Sequence, residues 1–243
     1  MSGLRFFVAV GSLLLVAAVL SSCSFGVVVG SGRSTTETRD VSDFSALEFA
    51  FLGNLTITKG DAESLTITGD DNIVSLIRTR VSNGVLRIDA GSTNVGRTII
   101  PLEYELIVKN LDSVNLSGLG SIGAAELSGD RVTLVLSGAG TLRVDDLNAD
   151  ELSVTMAGLG DANVAGVVNR QTVTVSGAGS YYAADLRSQT AKVTISGLGS
   201  AEVWPVETLS ATISGAGSIQ YAGSPQVTQQ VSGLGSIEAL GEK

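Results

Sequence analysis

The chain of 243 residues contains no histidine and a single cysteine. Without histidine it lacks the commonest general base and the commonest metal ligand, which weighs against an enzyme. One cysteine cannot build a disulfide framework, so packing and backbone pairing must hold the fold. Positive charge is scarce: a net charge of −9 repels nucleic-acid phosphates, so nucleic acid is not an expected partner. Aromatic residues make up 5 %, leaving few rings to stack on a ligand. Proline occurs three times against thirty glycines, so the chain turns often and tightly without a proline-rich segment. No motif implies a cofactor.

What is present begins with an export signal. Arg5 supplies a basic start, and Phe6 to Leu20 is apolar except at Gly11 and Ser12. Such a run is short for a membrane-spanning helix, which needs about 20 residues. Leu20-Ser21-Ser22-Cys23 resembles the lipobox of bacterial lipoproteins. That resemblance implies a signal peptide over residues 1–22, cleavage before Cys23, and a lipid on Cys23 that ties the protein to a membrane. An ordinary secretory signal or a transmembrane anchor are the alternatives. In Gram-negative lipoproteins an Asp after the Cys favours inner-membrane retention. Ser24 stands there instead, which points to the outer membrane, facing the periplasm or the surface.

Residues 23–40, with Gly30-Ser31-Gly32-Arg33-Ser34-Thr35-Thr36, read as the lipidated Cys and a flexible tether. Residues 41–116 read as an N-terminal β section, with strand-like runs at Leu47–Phe51, Leu55–Thr58, Leu65–Thr68, Val85–Asp89 and Tyr104–Val108. Asn83-Gly84 predicts a hairpin turn, and Ile73, Leu76 and Ile77 fall at helical spacing. This section is expected to cap the N-terminal end of the repeats.

Residues 117–243 carry a repeated tetrad, Ser-Gly-(Leu/Ala)-Gly, starting at Ser117, Ser137, Ala157, Ser176, Ser196, Ser214 and Ser232. The copies are eighteen to twenty residues apart, and the third residue alternates: Leu119, Ala139, Leu159, Ala178, Leu198, Ala216, Leu234. Such regularity is the mark of stacked supersecondary units. Before each tetrad lies an apolar residue (Leu116, Leu136, Met156, Val175, Ile195, Ile213, Val231), and two residues earlier another, except at Gln229. After it the apolar positions resume out of phase, at Ile122, Leu142, Ala162, Tyr181, Ala201, Ile219 and Ile237. Period-2 alternation on both arms makes each a strand with one face inward, and the phase change makes the tetrad a corner. The two glycines supply backbone freedom and close stacking. The Leu/Ala alternation predicts an inward corner where rungs about 4.8 Å apart have no room for a large residue on every level. Leu127, Leu147, Val167, Leu186 and Val206 suggest a third inward edge. The expected fold is all-β: a right-handed parallel β-helix, or solenoid, with about 20 residues per rung. A β-prism or long meander is the alternative.

Several motifs suggest chemistry. Gly118-Leu119-Gly120-Ser121-Ile122-Gly123 has the form GxGxxG, but dinucleotide binding needs a βαβ unit, and the corner explains the same glycines in every copy. Gly158-Leu159-Gly160-Asp161 is similar to a calcium-binding β-roll turn, yet the other copies lack the Asp. Asp145-Asp146, Asp185 and Glu126 could gather carboxylates for a metal or for polysaccharide cleavage. No rung is expected to carry a polar inward cluster, so these read as a solvated edge, with no catalytic, cofactor or metal site.

The outward rows offer contact. Thr133, Ser153, Thr172, Lys192, Ser210 and Thr228 form one, and Thr155, Thr174, Thr194 and Thr212 form the candidate contact row beside it. Thr suits an exposed pleated surface; glycan or other adhesive contact, and more remotely ice, are the functional readings. Tyr182 lies on an outward row as well.

Phe44-Ser45-Ala46-Leu47, Gly60-Asp61, Gly69-Asp70-Asp71-Asn72-Ile73 and Gly84-Val85-Leu86-Arg87-Ile88, leading into the tetrads, resemble the bacterial GIN-domain proteins, whose domains are regarded as heads of autotransporter adhesins. The resemblance spans residues 41 to 243. It implies a β-helical exported domain, often in lipoproteins, with no established activity and no catalytic residues. No translocator barrel follows in this sequence, which leaves Cys23 as the expected anchor. The combined expectation is a lipid-anchored cell-envelope protein whose solenoid is an adhesive or structural interaction module, with glycan or protein surfaces as partners. A polysaccharide-binding or polysaccharide-cleaving β-helix protein is the alternative. The ligand and the oligomeric state are left open.

Overall fold

A computed structural model describes residues 26–243; the expected signal peptide of residues 1–22 and the lipid site at Cys23 lie outside the described residues. The chain winds into a β-solenoid of about 6 turns with ~20 residues per rung; 68% of residues are strand and 2% helix. Among the described residues, no helix is long and apolar enough to cross a membrane.

The regular part is built from β11 (Leu119–Leu136), β12 (Ala139–Met156), β13 (Asp161–Val175), β14 (Ser180–Ile195) and β15 (Ser200–Ile213). Each bends around most of a coil and pairs in parallel with the next. Shorter strands β16 (Ser218–Ala222), β17 (Gln226–Val231) and β18 (Ser236–Gly241) complete the array. Parallel pairing throughout these coils excludes the prism and the meander. Identical positions stack: Leu47, Val114, Leu134, Val154, Val173, Val193 and Ala211 form one buried column, which ends at the exposed Gln229. Burying each such aliphatic side chain is worth about 1.5–3 kcal/mol, so the column ties every coil to its neighbours.

The N-terminal section closes the other end. β3 (Ala46–Phe49) and β4 (Leu52–Lys59) continue the parallel stack beyond β10 (Ser113–Leu116) and β11. β7 (Val85–Asp89) and β9 (Glu103–Val108) add one more level. The order then turns antiparallel: β6 (Arg78–Ser82) pairs with β7 around Asn83 and Gly84, both at positive φ, as the hairpin requires. β5 (Ser64–Asp70) pairs with β9, and β2 (Ser34–Arg39) covers β5. A single helical turn, α1 (Asp71–Val74), buries Ile73 and Val74 over the end of the core. Inside, the Tyr104 ring meets Phe49 edge-on at 5.0 Å and its hydroxyl donates to the Leu52 carbonyl, while burial pushes its acidity well down.

Four expectations need correction. Much of the expected tether is ordered strand: β1 (Val28–Val29) pairs with β8 (Val95–Arg97), and β2 lies on β5, because the Thr36 and Thr38 hydroxyls match Thr68 and Thr66 across that pair. The tetrad leucines point outward: Leu119, Leu159, Leu198 and Leu234 are 62%, 73%, 71% and 93% exposed. Val167 and Val206 are also outward, 50% and 38% exposed: bulges put Gly166 opposite Leu147 and Leu186, and the irregular pairing of β14 with β15 sets Trp204 and Pro205 opposite Arg187 and Ser188. Finally, one polar cluster is inward. Gln171, Ser188 and Tyr181 are fully buried and hydrogen-bonded to one another.

Stacking rather than φ requires most of the tetrad glycines. A Cβ on Gly138 would lie 2.0 Å from the Gly118 carbonyl oxygen, and one on Gly160 would lie 2.0 Å from that of Gly140. Each corner sits so close to the one below that only a bare Cα fits.

Candidate contact surface

The corner and its two flanks form a continuous strip along the solenoid. On one flank Thr155, Thr174, Thr194 and Thr212 stack in register, as the sequence row requires, between Val135 and Gln230. Thr155 is exposed, and Thr174, Thr194 and Thr212 are half-buried within the sheet face. On the crest, each third tetrad residue donates its N–H to the coil below, Leu198 to the Gly177 carbonyl and Leu234 to that of Gly215, both at 3.0 Å. This fixes a line of side chains that alternates large and small toward solvent. On the far flank run Ser121, Thr141, Asp161, Ser180, Ser200, Ser218 and Ser236. The Asp161 carboxylate accepts from the Ser180 N–H at 3.0 Å. Through segments 115–121, 135–141, 155–161, 174–180, 194–200, 212–218 and 230–236, Asp161 is the only charged residue, although 16% of the chain is charged.

Beyond the far flank the surface becomes charged. Arg143, Asn163, Tyr182 and Glu202 stack on consecutive coils and, with Asp145 and Asp185, line an open depression of about 350 Å³. The Tyr182 ring is 45% exposed there. Arg143 donates to Asp145 at 2.5 Å, and Lys243 reaches Asp185 at 2.6 Å, its ammonium 5.0 Å above the Trp204 ring. Glu126 is held by Lys59 at 2.9 Å and faces Asp146 across β11 and β12. The structure thus brings Asp145 and Asp185 to one depression, each with a cation beside it, and leaves Asp146, on the same coil as Asp145, facing Glu126 outside it. Among the described residues no group of three potential ligands is placed to hold a metal.

Two acidic residues of the N-terminal cap stand out only in the structure. Asp70 is fully buried and accepts N–H groups from Gly32 (2.7 Å), Ile99 (2.8 Å) and Ile100 (3.1 Å). Burial alone would raise its pKa, but those three donors outweigh it and hold the carboxyl below the usual range. Asp89 is similarly buried; burial raises it, and the Arg87 guanidinium, the Gly91 N–H and the charge of Arg78 bring it lower. Both carboxylates staple loops and leave no free oxygen facing a cleft. The Gly69-Asp70-Asp71 turn was the only sequence signal for the first, and nothing in the sequence pairs Asp89 with its arginines.

A family model described as "Putative auto-transporter adhesin, head GIN domain" matches residues 43–225. Three crystal structures share the fold. A putative adhesin from Bacteroides fragilis is 25% identical and superposes with a TM-score of 0.84 over 88% of this chain and 100% of its own. One from Parabacteroides merdae is 25% identical, with a TM-score of 0.65 over 88% and 98%. One from Parabacteroides distasonis, at 22% identity, gives 0.70 over 88% and 99% and speaks for the fold alone. No curated protein matches the chain.

Proposed function

The chain belongs to the family of putative auto-transporter adhesin head GIN domains, and on that premise we propose that it is a non-enzymatic adhesive module of the cell envelope, lipid-anchored at Cys23. The single observation that supports adhesion best is the depression around Tyr182. An exposed phenol ring offers a stacking face for the C–H side of a sugar. Asn163, Asp145, Asp185, Arg143 and Glu202 surround it with donors and acceptors for hydroxyls. Its volume falls within the range of small-ligand sites, about 300–1,000 Å³. A surface glycan is the ligand class this chemistry suits. Cleavage of the glycan is the second reading, since Asp145 and Asp185 line the same wall; their pairing with Arg143 and Lys243 favours binding without hydrolysis.

Binding of the full chain to an array of envelope and capsular glycans tests the reading. Retention by wild type and at least a tenfold loss for Tyr182→Ala, with an unchanged melting curve, are expected. Equal binding by both proteins refutes the site, and released oligosaccharide refutes the non-enzymatic reading. Fractionation of cells making Cys23→Ala tests the anchor: the variant is expected in the soluble fraction, and normal membrane association refutes lipidation there.

A further inference from the structure

The leucines on the crest have no role inside the fold. Ala139, Ala178 and Ala216 hold the same backbone position and satisfy the same ladder, so packing gives no reason for Leu on alternate coils. Four leucines in line, each 62% exposed or more, on a strip with one charge, are unlike hydrophobic residues scattered singly over a soluble surface. We propose that the crest is a self-association surface whose occupant is a second copy of this chain, bound antiparallel about a two-fold axis.

The alternation itself selects this partner. Leucines recur every second rung, about 9.6 Å apart, and each alanine between them leaves a gap the size of the missing side chain. A second crest fits these gaps only when its leucines fall opposite alanines. A two-fold axis along the solenoid would set every Leu on its own copy, so that arrangement is excluded by size. An axis across the solenoid, passing between rungs, sets every Leu on an Ala and is self-complementary, as a closed dimer requires.

Charge then chooses between the two registers that pair six rungs. An axis between Leu159 and Ala178 brings the two Asp161 carboxylates within one rung, about 5 Å along the solenoid. An axis between Ala178 and Leu198 separates them by three rungs, about 14 Å, beyond the screening length of about 8–10 Å. The second register pairs Ala178 with Leu198, Leu159 with Ala216, and Ala139 with Leu234 of the other copy. Leu119 stays outside.

The rest of the surface favours the same strip. Two copies of a chain with net charge −9 repel one another, and the strip is where they meet with least like-charge cost. Six rungs by roughly five residues of corner is about 29 × 15 Å, or on the order of 900 Å² in total, near the ~1,000 Å² at which specific interfaces begin. The dimer is therefore weak and concentration-dependent, and tethering both copies to one membrane would promote it. It also sets the two Tyr182 depressions on the same side, next to the axis.

Sedimentation equilibrium of the full chain in density-matched detergent tests this. Wild type is expected to dimerise reversibly. Leu198→Arg is expected to weaken dimerisation at least tenfold without changing the melting curve, since the side chain is solvent-facing in the monomer. Leu119→Arg is expected to leave the dimer intact. A wild type that stays monomeric at about 100 µM, below the roughly millimolar effective concentration that tethering supplies, overturns the proposal. So does a dimer indifferent to Leu198→Arg, or one that Leu119→Arg weakens equally. Leu198-dependent binding of monomers to phosphatidylglycerol vesicles or to glycans overturns it in favour of those occupants.

Discussion

The Gln171 side-chain amide donates at 2.8 Å to the Ser188 hydroxyl of the next column, out of a stack whose other members, Val132, Leu152, Ala191 and Leu209, are aliphatic. Gln171 also accepts from the Tyr181 hydroxyl at 3.3 Å, and Ser188 leans on the Trp204 carbonyl at 3.4 Å. Three coils are thus joined by side chains as well as by backbone. Burial drives the Tyr181 phenol far above its ordinary pKa, so it remains a donor.

Ser188→Ala leaves the Gln171 amide buried without that partner, a cost of about 1–3 kcal/mol, or a melting point lower by roughly 2–10 °C. Adding Gln171→Leu should recover part of the loss, leaving only Tyr181 short of an acceptor. Calorimetry on the two variants checks this; a Ser188→Ala protein that melts with wild type would show that the network adds nothing.

Two glycines close to the corners have opposite tolerance. Gly138→Ala drives a methyl group into the Gly118 carbonyl and should cost about 2 kcal/mol or more. Gly123→Ala points into open space and should change stability by less than about 0.5 kcal/mol. Urea midpoints of the pair measure the difference directly, and equal midpoints would contradict the close stacking of the corners.

Asp70 gives the fold an acid-sensitive latch. Its folded pKa lies below the ordinary value of 3.8, so the carboxylate's contribution is complete above that value and is lost as pH falls through the lower folded one. In Asp70→Asn the Gly32, Ile99 and Ile100 amides should exchange faster at neutral pH, on the order of tenfold, while amides of β13 stay protected. Hydrogen exchange followed by mass spectrometry resolves these segments. Unchanged protection near Gly32 would mean that the strand pairing of β2, not Asp70, holds the segment.

The tetrad spacing made the rung length and the corner legible, and period-2 alternation revealed both strand faces from residues such as Leu134 and Leu142. The direction of the tetrad leucines was not legible. A phase change says that the chain bends, but whether the bend's middle residue points in or out depends on backbone angles that two glycines leave free. Val167 misled because bulges next to Leu147 and Leu186 move the register by a residue without changing the apolar pattern, and Val206 because the irregular pairing of β14 with β15 sets Trp204 and Pro205 opposite Arg187 and Ser188. Gln171 lies five residues before its tetrad, where other coils carry Val132, Leu152, Ala191 and Leu209, so the repeat marked its position as inward; its partners Ser188 and Tyr181 become neighbours only once the coils are stacked. The contact row of Thr155, Thr174, Thr194 and Thr212 follows from the sequence alone; that it borders an uncharged crest needed the fold. Residues 28–39 read as linker because their pairing partners, Val95–Arg97 and Leu65–Asp70, are distant in sequence.

The outward columns act as two rulers with different graduations. The threonine row repeats on four successive coils, about 4.8 Å apart, so a periodic partner sliding along it meets the same hydroxyls at each step. The crest repeats only at every second coil, and a slip of one step turns each knob against a knob. A partner touching both would find half of the threonine row's registers forbidden. The row gives tolerance of position, and the crest gives parity.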